Sequence, residues 1–256
     1  MSDSPIRGWL DRDGAVLRLR LARPKANVID RAMMAALREA LAAHAGDPGL
    51  KAVVLDHEGP HFSFGASIQE HLPDQFEGML VELHSLLRMI LEYPLPVLMV
   101  VRGQCLGGGL ELAGAGHLIF AGTDAVFGQP EIQLAGFAPA GSCILPERVG
   151  QARADDLLLS GRSITAADAQ QFGLVQSVSD DPEQTALAWV DAHLLPKSAM
   201  ALRIALKGSH QAYAQRVVAR IAIAEKLAID ELLPTHDMTE GMAAFLEKRK
   251  PVWQNR

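Results

Sequence analysis

Two glutamates stand beside the parts an acid/base site needs. Glu111 comes two residues after Gly107-Gly108-Gly109, and Glu131 follows Phe127-Gly128-Gln129-Pro130. A second glycine-bearing loop, Phe64-Gly65-Ala66-Ser67, lies upstream. Loops of this kind after strands bring backbone close to a ligand. A helix beginning near Leu110 would turn unsatisfied N–H groups and its positive dipole end toward whatever sits there. Such donors suit an oxyanion. With two carboxylates they match the needs of hydrating a conjugated thioester: one group takes a proton from water, the other gives one to the carbon skeleton. Backbone N–H groups would hold the enolate oxygen meanwhile. Taken singly, each feature has a plain structural account. A carboxylate in a first helical turn stabilises that turn, and glycines permit tight helix–sheet packing.

Other chemistries have less to stand on. No Gly-Lys-Ser/Thr follows the triple glycine as a P-loop requires, and its spacing is not GxGxxG. Ser67 and Ser142 have no GxSxG elbow around them, which favours hydrogen bonding over nucleophilic attack. Of the nine histidines, His71, close after the first loop, is the one to watch; no metal is expected. Cys105 and Cys143 lack CxxC spacing, and Cys143 reads as a small apolar filler. Lys248-Arg249-Lys250 follows an amphipathic helix and reads as a solvated end that complements the dipole.

The elements that must position these residues alternate between strand and helix. Residues 16–21 alternate apolar and basic side chains as a half-exposed strand does. Asp30 should cap a helix over 31–45, on which Met34, Leu37 and Leu41 recur at helical spacing. A buried strand over 52–55, a helix over 76–92, a buried strand over 97–101 and short strands over 118–121 and 174–178 follow. Thr165 should cap a short helix. Beyond about 181 the pattern is helical, with breaks expected near Pro196, Gly208 and Pro234. This order predicts an α/β core with parallel pairing, over 1–180, carrying the site. A helical trimerisation or lid region should follow over 181–256.

Composition agrees with one globular unit. The 256 residues are 49% hydrophobic and 21% charged, enough for a sizeable core. Net charge is −6 with scattered basic residues, so no nucleic-acid partner is expected. The opening stretch has neither a signal core nor a transit pattern, and no apolar run reaches membrane length. A reducing, cytoplasmic setting with no membrane partner is the expectation.

Four segments together resemble the crotonase (enoyl-CoA hydratase/isomerase) superfamily in order and spacing over nearly the whole chain. They are 104–112 around the triple glycine, Phe127-Gly128-Gln129-Pro130-Glu131, 159–169, and 240–251. The resemblance implies a spiral of ββα units with a C-terminal helical region, assembled as a homotrimer or a homohexamer of two trimers. It implies that the N–H groups of Ala66 and Gly108 hold the thioester oxygen. Glu111 would position and deprotonate water, and Glu131 would exchange the proton at the carbon next to the thioester. Phe64, Gly65, Ser67, Ile68, Gln69, Gly107 and Phe137 would contact the acyl-CoA, with 66–69 meeting the CoA part. Lys248, Arg249 and Lys250 would lie near the CoA nucleotide. No separate cofactor is implied, since coenzyme A is part of the substrate.

Two departures from the family pattern bear on the acyl group. Phe64-Gly65-Ala66-Ser67 stands where Ala-Gly-Ala-Asp is usual, and Phe137-Ala138-Pro139-Ala140-Gly141-Ser142-Cys143 replaces Pro-Gly-Ala-Gly-Gly-Thr. With Glu70-His71, these are similar to the cyclic dienoyl-CoA hydratases of anaerobic benzoyl-CoA breakdown. The implied activity is therefore a hydro-lyase acting on an α,β-unsaturated or cyclic dienoyl-CoA. The alternatives are an acyl-CoA isomerase, a ring hydrolase, or a non-catalytic CoA- or RNA-binding member.

Overall fold

In the computed structural model, which describes residues 4–72 and 74–256, the chain repeats one motion four times. Residues 1–3 of the opening stretch lie outside the described residues. Strand β1 (Ile6–Asp11) precedes the first pass, made of β2 (Val16–Leu21), an extended point at Ile29 and helix α1 (Arg31–His44). The second pass is β3 (Ala52–His57), the extended residues Ser63 and Ala66, and α2 (Phe76–Leu91). The third is β4 (Val97–Val101), β5 (Gln104–Leu106) and α3 (Gly108–Ala115). The fourth is β6 (Leu118–Gly122), β7 (Val126–Gly128) and α4 (Gly141–Val149). Then come α5 (Gln151–Ser160), β8 (Ser163–Thr165), α6 (Ala166–Gln171) and β9 (Ser177–Ser179).

The first strand of each pass enters a six-stranded sheet of order β1-β2-β3-β4-β6-β9, parallel throughout except at β1–β2. The second enters a smaller sheet, β5-β7-β8, which single parallel bridges extend from Cys105 to Ser63 and from Ala66 to Ile29. Each pass thus advances one place in both sheets, and the chain winds as a spiral of ββα units.

Local sequence accounts for much of this. Asp30 caps α1, its carboxylate accepting from the Met33 N–H at 2.8 Å, and Met33, Met34, Leu37 and Leu41 face the core. Thr165 and Asp168 form a reciprocal capping box on α6. Strands β3 and β4 are apolar without alternation because both faces are covered. On one side Val16, Val54, Leu98, Val100 and Phe120 meet Ala186, Leu187 and Val190 of α7 (Pro182–His193). On the other, α1 and α2 close the main core.

Several expectations need correction. Strand β1 was not foreseen. Strand β2 is not half-exposed: Arg18 is 3% exposed, because β3 and α7 bring Asp56 and Glu183 each within 2.5 Å of its guanidinium. Strand β9 covers 177–179 rather than 174–178, since the Leu174 and Val175 N–H groups bond the Ala169 carbonyl and turn the chain after α6. Helix α3 starts at Gly108, so the glycines form its first turn. Gly208 breaks nothing: α8 (Ala199–Leu227) runs through it, an interior glycine costing only about 1 kcal/mol against alanine.

A π-helical turn (Ala228–Leu232) joins α8 to α9 (His236–Leu246), and the tail folds back so that the Gln254 and Asn255 N–H groups donate to Asp237. No described helix is long and apolar enough to cross a membrane.

Candidate active site

The spiral explains why distant loops meet. The Leu106 N–H donates to the Ser63 carbonyl at 3.0 Å, and the Gly107 N–H to the Gly128 carbonyl at 2.9 Å. Loops leaving the same end of the small sheet, after 63, after β5 and after β7, therefore arrive side by side. Their contact demands glycine. Gly65 has φ +103°, and a Cβ there would sit 2.9 Å from the Leu106 carbonyl oxygen. At Gly107, with φ +52°, a Cβ would sit 2.7 Å from a Glu131 carboxylate oxygen.

Between these loops the Ala66 nitrogen lies 3.1 Å from where a Gly108 Cβ would point. The Gly108 N–H is at the first helical position of α3, where no intrahelical acceptor exists. Neither N–H donates to a described backbone or side-chain acceptor. Two neighbouring backbone donors thus border a cavity of about 100 Å³.

Both glutamates line this cavity. Glu111, in the first turn of α3, is 4% exposed and accepts the Gly141 N–H from the start of α4 at 2.7 Å. Glu131 lies on the 3-10 turn Pro130–Leu134, and its Oε2 is buried with no partner among the described residues. Burial pushes both carboxyl groups above the usual carboxylate range. For Glu131 the charge of Glu111 adds to the push, whereas for Glu111 the Gly141 N–H opposes it. Two buried acids under such coupling release their protons in separate steps. Near neutrality the arrangement favours one ionised and one protonated member, the pairing that acid/base chemistry requires.

Of the other residues singled out, Gly65, Ile68, Gly107 and Phe137 line the cavity, and Phe64, 48% exposed, stands among them. Ser67 and Gln69 share the loop but not the lining; the Ser67 carbonyl accepts from His71 at 2.7 Å, and His71 does line it. Cys143 Sγ donates to the Pro139 carbonyl at 3.3 Å, and burial pushes its thiol up to about 11. It is therefore not a thiolate nucleophile. Arg249 is engaged by Glu240 and Glu247, both at 2.5 Å.

Sequence reading passed over the string His57-Glu58-Gly59-Pro60-His61, which has the HExxH spacing of a zinc-binding helix. Here it is the end of β3 and a turn. One ring nitrogen of His57 accepts the Arg102 N–H at 3.1 Å, and one of His61 accepts the Gln104 N–H at 3.2 Å. Among the described residues no cluster of three candidate ligands occurs.

It also missed the cavity's apolar wall: Phe76, Met79, Leu80 and Leu83 of α2, and Leu232, Met238 and Met242 from the C-terminal helices. The broad apolar face of α2 was the visible signal. Gly141, whose N–H fixes Glu111, had none.

A sequence profile described as enoyl-CoA hydratase/isomerase matches residues 11–256. The chain belongs to the enoyl-CoA hydratase/isomerase family. It is 54% identical over 255 residues to cyclohexa-1,5-dienecarbonyl-CoA hydratase of Thauera aromatica, a match covering 100% of this chain and 99% of that one. To 2,3-dehydroadipyl-CoA hydratase of Escherichia coli (strain K12) it is 34% identical over 254 residues, covering 96% and 98%. Among solved structures, an enoyl-CoA hydratase from Mycobacterium avium superposes with a TM-score of 0.86 at 27% identity, covering 97% and 98%. The expected crotonase-like spiral and membership of an enzyme family are borne out.

Proposed function

We propose that this enzyme adds water to a cyclic dienoyl-CoA thioester of the cyclohexa-1,5-diene-1-carbonyl kind. The observation that carries the reaction is the pair of buried, coupled carboxylates on a cavity bordered by two unengaged backbone N–H groups. The substrate class is supported by the full-length 54% relative and is compatible with the apolar wall of the cavity. The cavity is walled mainly by apolar side chains, the surroundings a hydrocarbon ring requires.

The thioester oxygen takes the Ala66 and Gly108 N–H groups, which bind it more strongly as the enolate forms. Glu111 is the ionised member, supported by the N–H it accepts from Gly141. It removes a proton from water as the oxygen adds to the unsaturated carbon. Glu131 is the protonated member, supported by the stronger push on its carboxyl, and delivers its proton to the carbon next to the thioester. Proton transfer back through water resets the pair, and no further cofactor enters. Mixing the protein with cyclohexa-1,5-diene-1-carbonyl-CoA should consume the conjugated absorbance and yield a product heavier by one water. Glu111→Gln and Glu131→Gln should each lower kcat by about 10²- to 10⁴-fold. Hydration unaffected by both substitutions, or a rearranged product of unchanged mass, would sink the reading.

A further inference from the structure

The catalytic cavity adjoins a second one. That chamber, about 230 Å³ and open to solvent past the exposed Leu72 and Leu246, runs between Leu72 on one side and Leu233, Ala243 and Leu246 on the other, and is largely apolar. The two share three lining residues, His71, Met238 and Met242. These side chains form the partition. Met238 and Met242 are buried but intrinsically deformable, as unbranched thioethers are. His71 is the stiff member. Its Nδ1–H donates to the Ser67 carbonyl at 2.7 Å, and its ring packs on Phe76 with centroids 5.7 Å apart. Burial lowers its pKa, so the imidazole is neutral and compatible with an apolar neighbour. The signal in the sequence was a lone histidine just after the first glycine loop, with no reacting partner to explain it.

We propose that His71, backed by Met238 and Met242, sets acyl specificity, confining the acyl group to about one ring by walling off a chamber that would otherwise receive a longer chain. This deepens the hydratase reading by naming what bounds its substrate. Without the wall the cavity would continue into the neighbouring chamber, and each added methylene of a straight chain would leave water for apolar surface. That gain is about 0.8 kcal/mol per methylene, or about fourfold in affinity.

The test uses saturated acyl-CoAs, which bind without being hydrated, so its outcome is independent of turnover. Calorimetry would give Kd for butyryl-CoA and decanoyl-CoA with the wild-type protein, His71→Ala, Met242→Ala, and His71→Ala combined with Ala243→Phe. The wild type should hold decanoyl-CoA no more tightly than butyryl-CoA. Either single substitution should tighten decanoyl-CoA by about tenfold or more while moving butyryl-CoA by less than about threefold. Refilling the chamber with Ala243→Phe should erase the gain. Met242→Ala opens the partition from the other side, so the question is answered even if His71→Ala does not fold. A wild type that already favours decanoyl-CoA by the full methylene increment would overturn the proposal. So would folded variants with an unchanged preference, or variants that weaken both ligands alike, which would place the CoA moiety in the chamber. Failure of the hydratase reading would show separately, as a wild type that binds acyl-CoAs but hydrates no dienoyl-CoA.

Discussion

Burial raises the carboxyl groups of Glu111 and Glu131 above the ordinary carboxylate range, and that has a consequence for stability. A carboxyl whose folded pKa is raised binds more protons folded than unfolded, so its contribution is fully present below the ordinary value of 4.5. That contribution is lost as pH rises through the raised folded values. Glu131→Gln keeps the shape of the neutral acid without the option of ionising. At pH 8 the variant should therefore melt higher than the wild type by about 2–4 °C for each kcal/mol relieved, and at pH 4.5 the two should coincide. Thermal melts followed by circular dichroism at both pH values check this; equal melting temperatures at pH 8 would refute it. At this scale the sequence was generous, because Gly107, Gly108 and Glu111 are neighbours along the chain and Glu131 sits in its own short segment. What it concealed were partners supplied by folding. Nothing about Gly141 announces that its N–H meets Glu111, and Arg18 shows its buried role only once Asp56 and Glu183 stand around it.

Elements place Glu131 as much as its neighbours do. Helix α9 packs on the turn Pro130–Leu134 so closely that a Cβ on Gly241 would lie 2.1 Å from the Leu134 carbonyl oxygen. Gly241→Ala should push the two apart, destabilising the fold by about 1–3 kcal/mol. Since that turn carries Glu131, kcat should fall more than the loss of stability accounts for. Urea unfolding alongside dienoyl-CoA turnover separates the two effects, and wild-type values in both would contradict the close packing. Elements with strong local signals were legible: Asp30 and Thr165 as caps, and the continuous apolar runs of β3 and β4. Short strands such as β5, β7 and β9 were missed or shifted, because three residues carry too little periodicity to register. The uninterrupted course of α8 past Gly208 reflects packing and length prevailing over one residue's propensity.

For the molecule as a whole, the large sheet is clamped on the face away from the cavity. Asp56 on β3 takes Arg18 and Arg20, both at 2.5 Å, and Glu183 of α7 joins them. Trp9 on β1 lies 5.1 Å from the Arg18 guanidinium carbon. Asp56→Ala would remove the buried carboxylate that Arg18 and Arg20 share, leaving Glu183 and Asp11 to hold Arg18, at a cost of about 1–3 kcal/mol. Because the network lies across the sheet from the cavity, kcat/KM of the fraction that stays folded should not change. Urea titration and turnover at low temperature test both halves; a drop in kcat/KM would mean that the two faces are coupled. The spiral could be argued from strand–helix alternation only as far as parallel pairing. That each pass feeds two sheets emerged from the single-residue bridges at Ile29, Ser63 and Ala66, which leave no trace in hydropathy.

The partition shared by His71, Met238 and Met242 also orders events in time. A ribosome releases the spiral, with Ala66, Gly108, Glu111 and Glu131, well before it releases α9. Met238 and Met242 of α9 are part of the wall around the acidic pair, so that side of the cavity is closed only when α9 is docked. Closure of the site thus rests with the last part of the chain to be made, which bears none of the reacting groups.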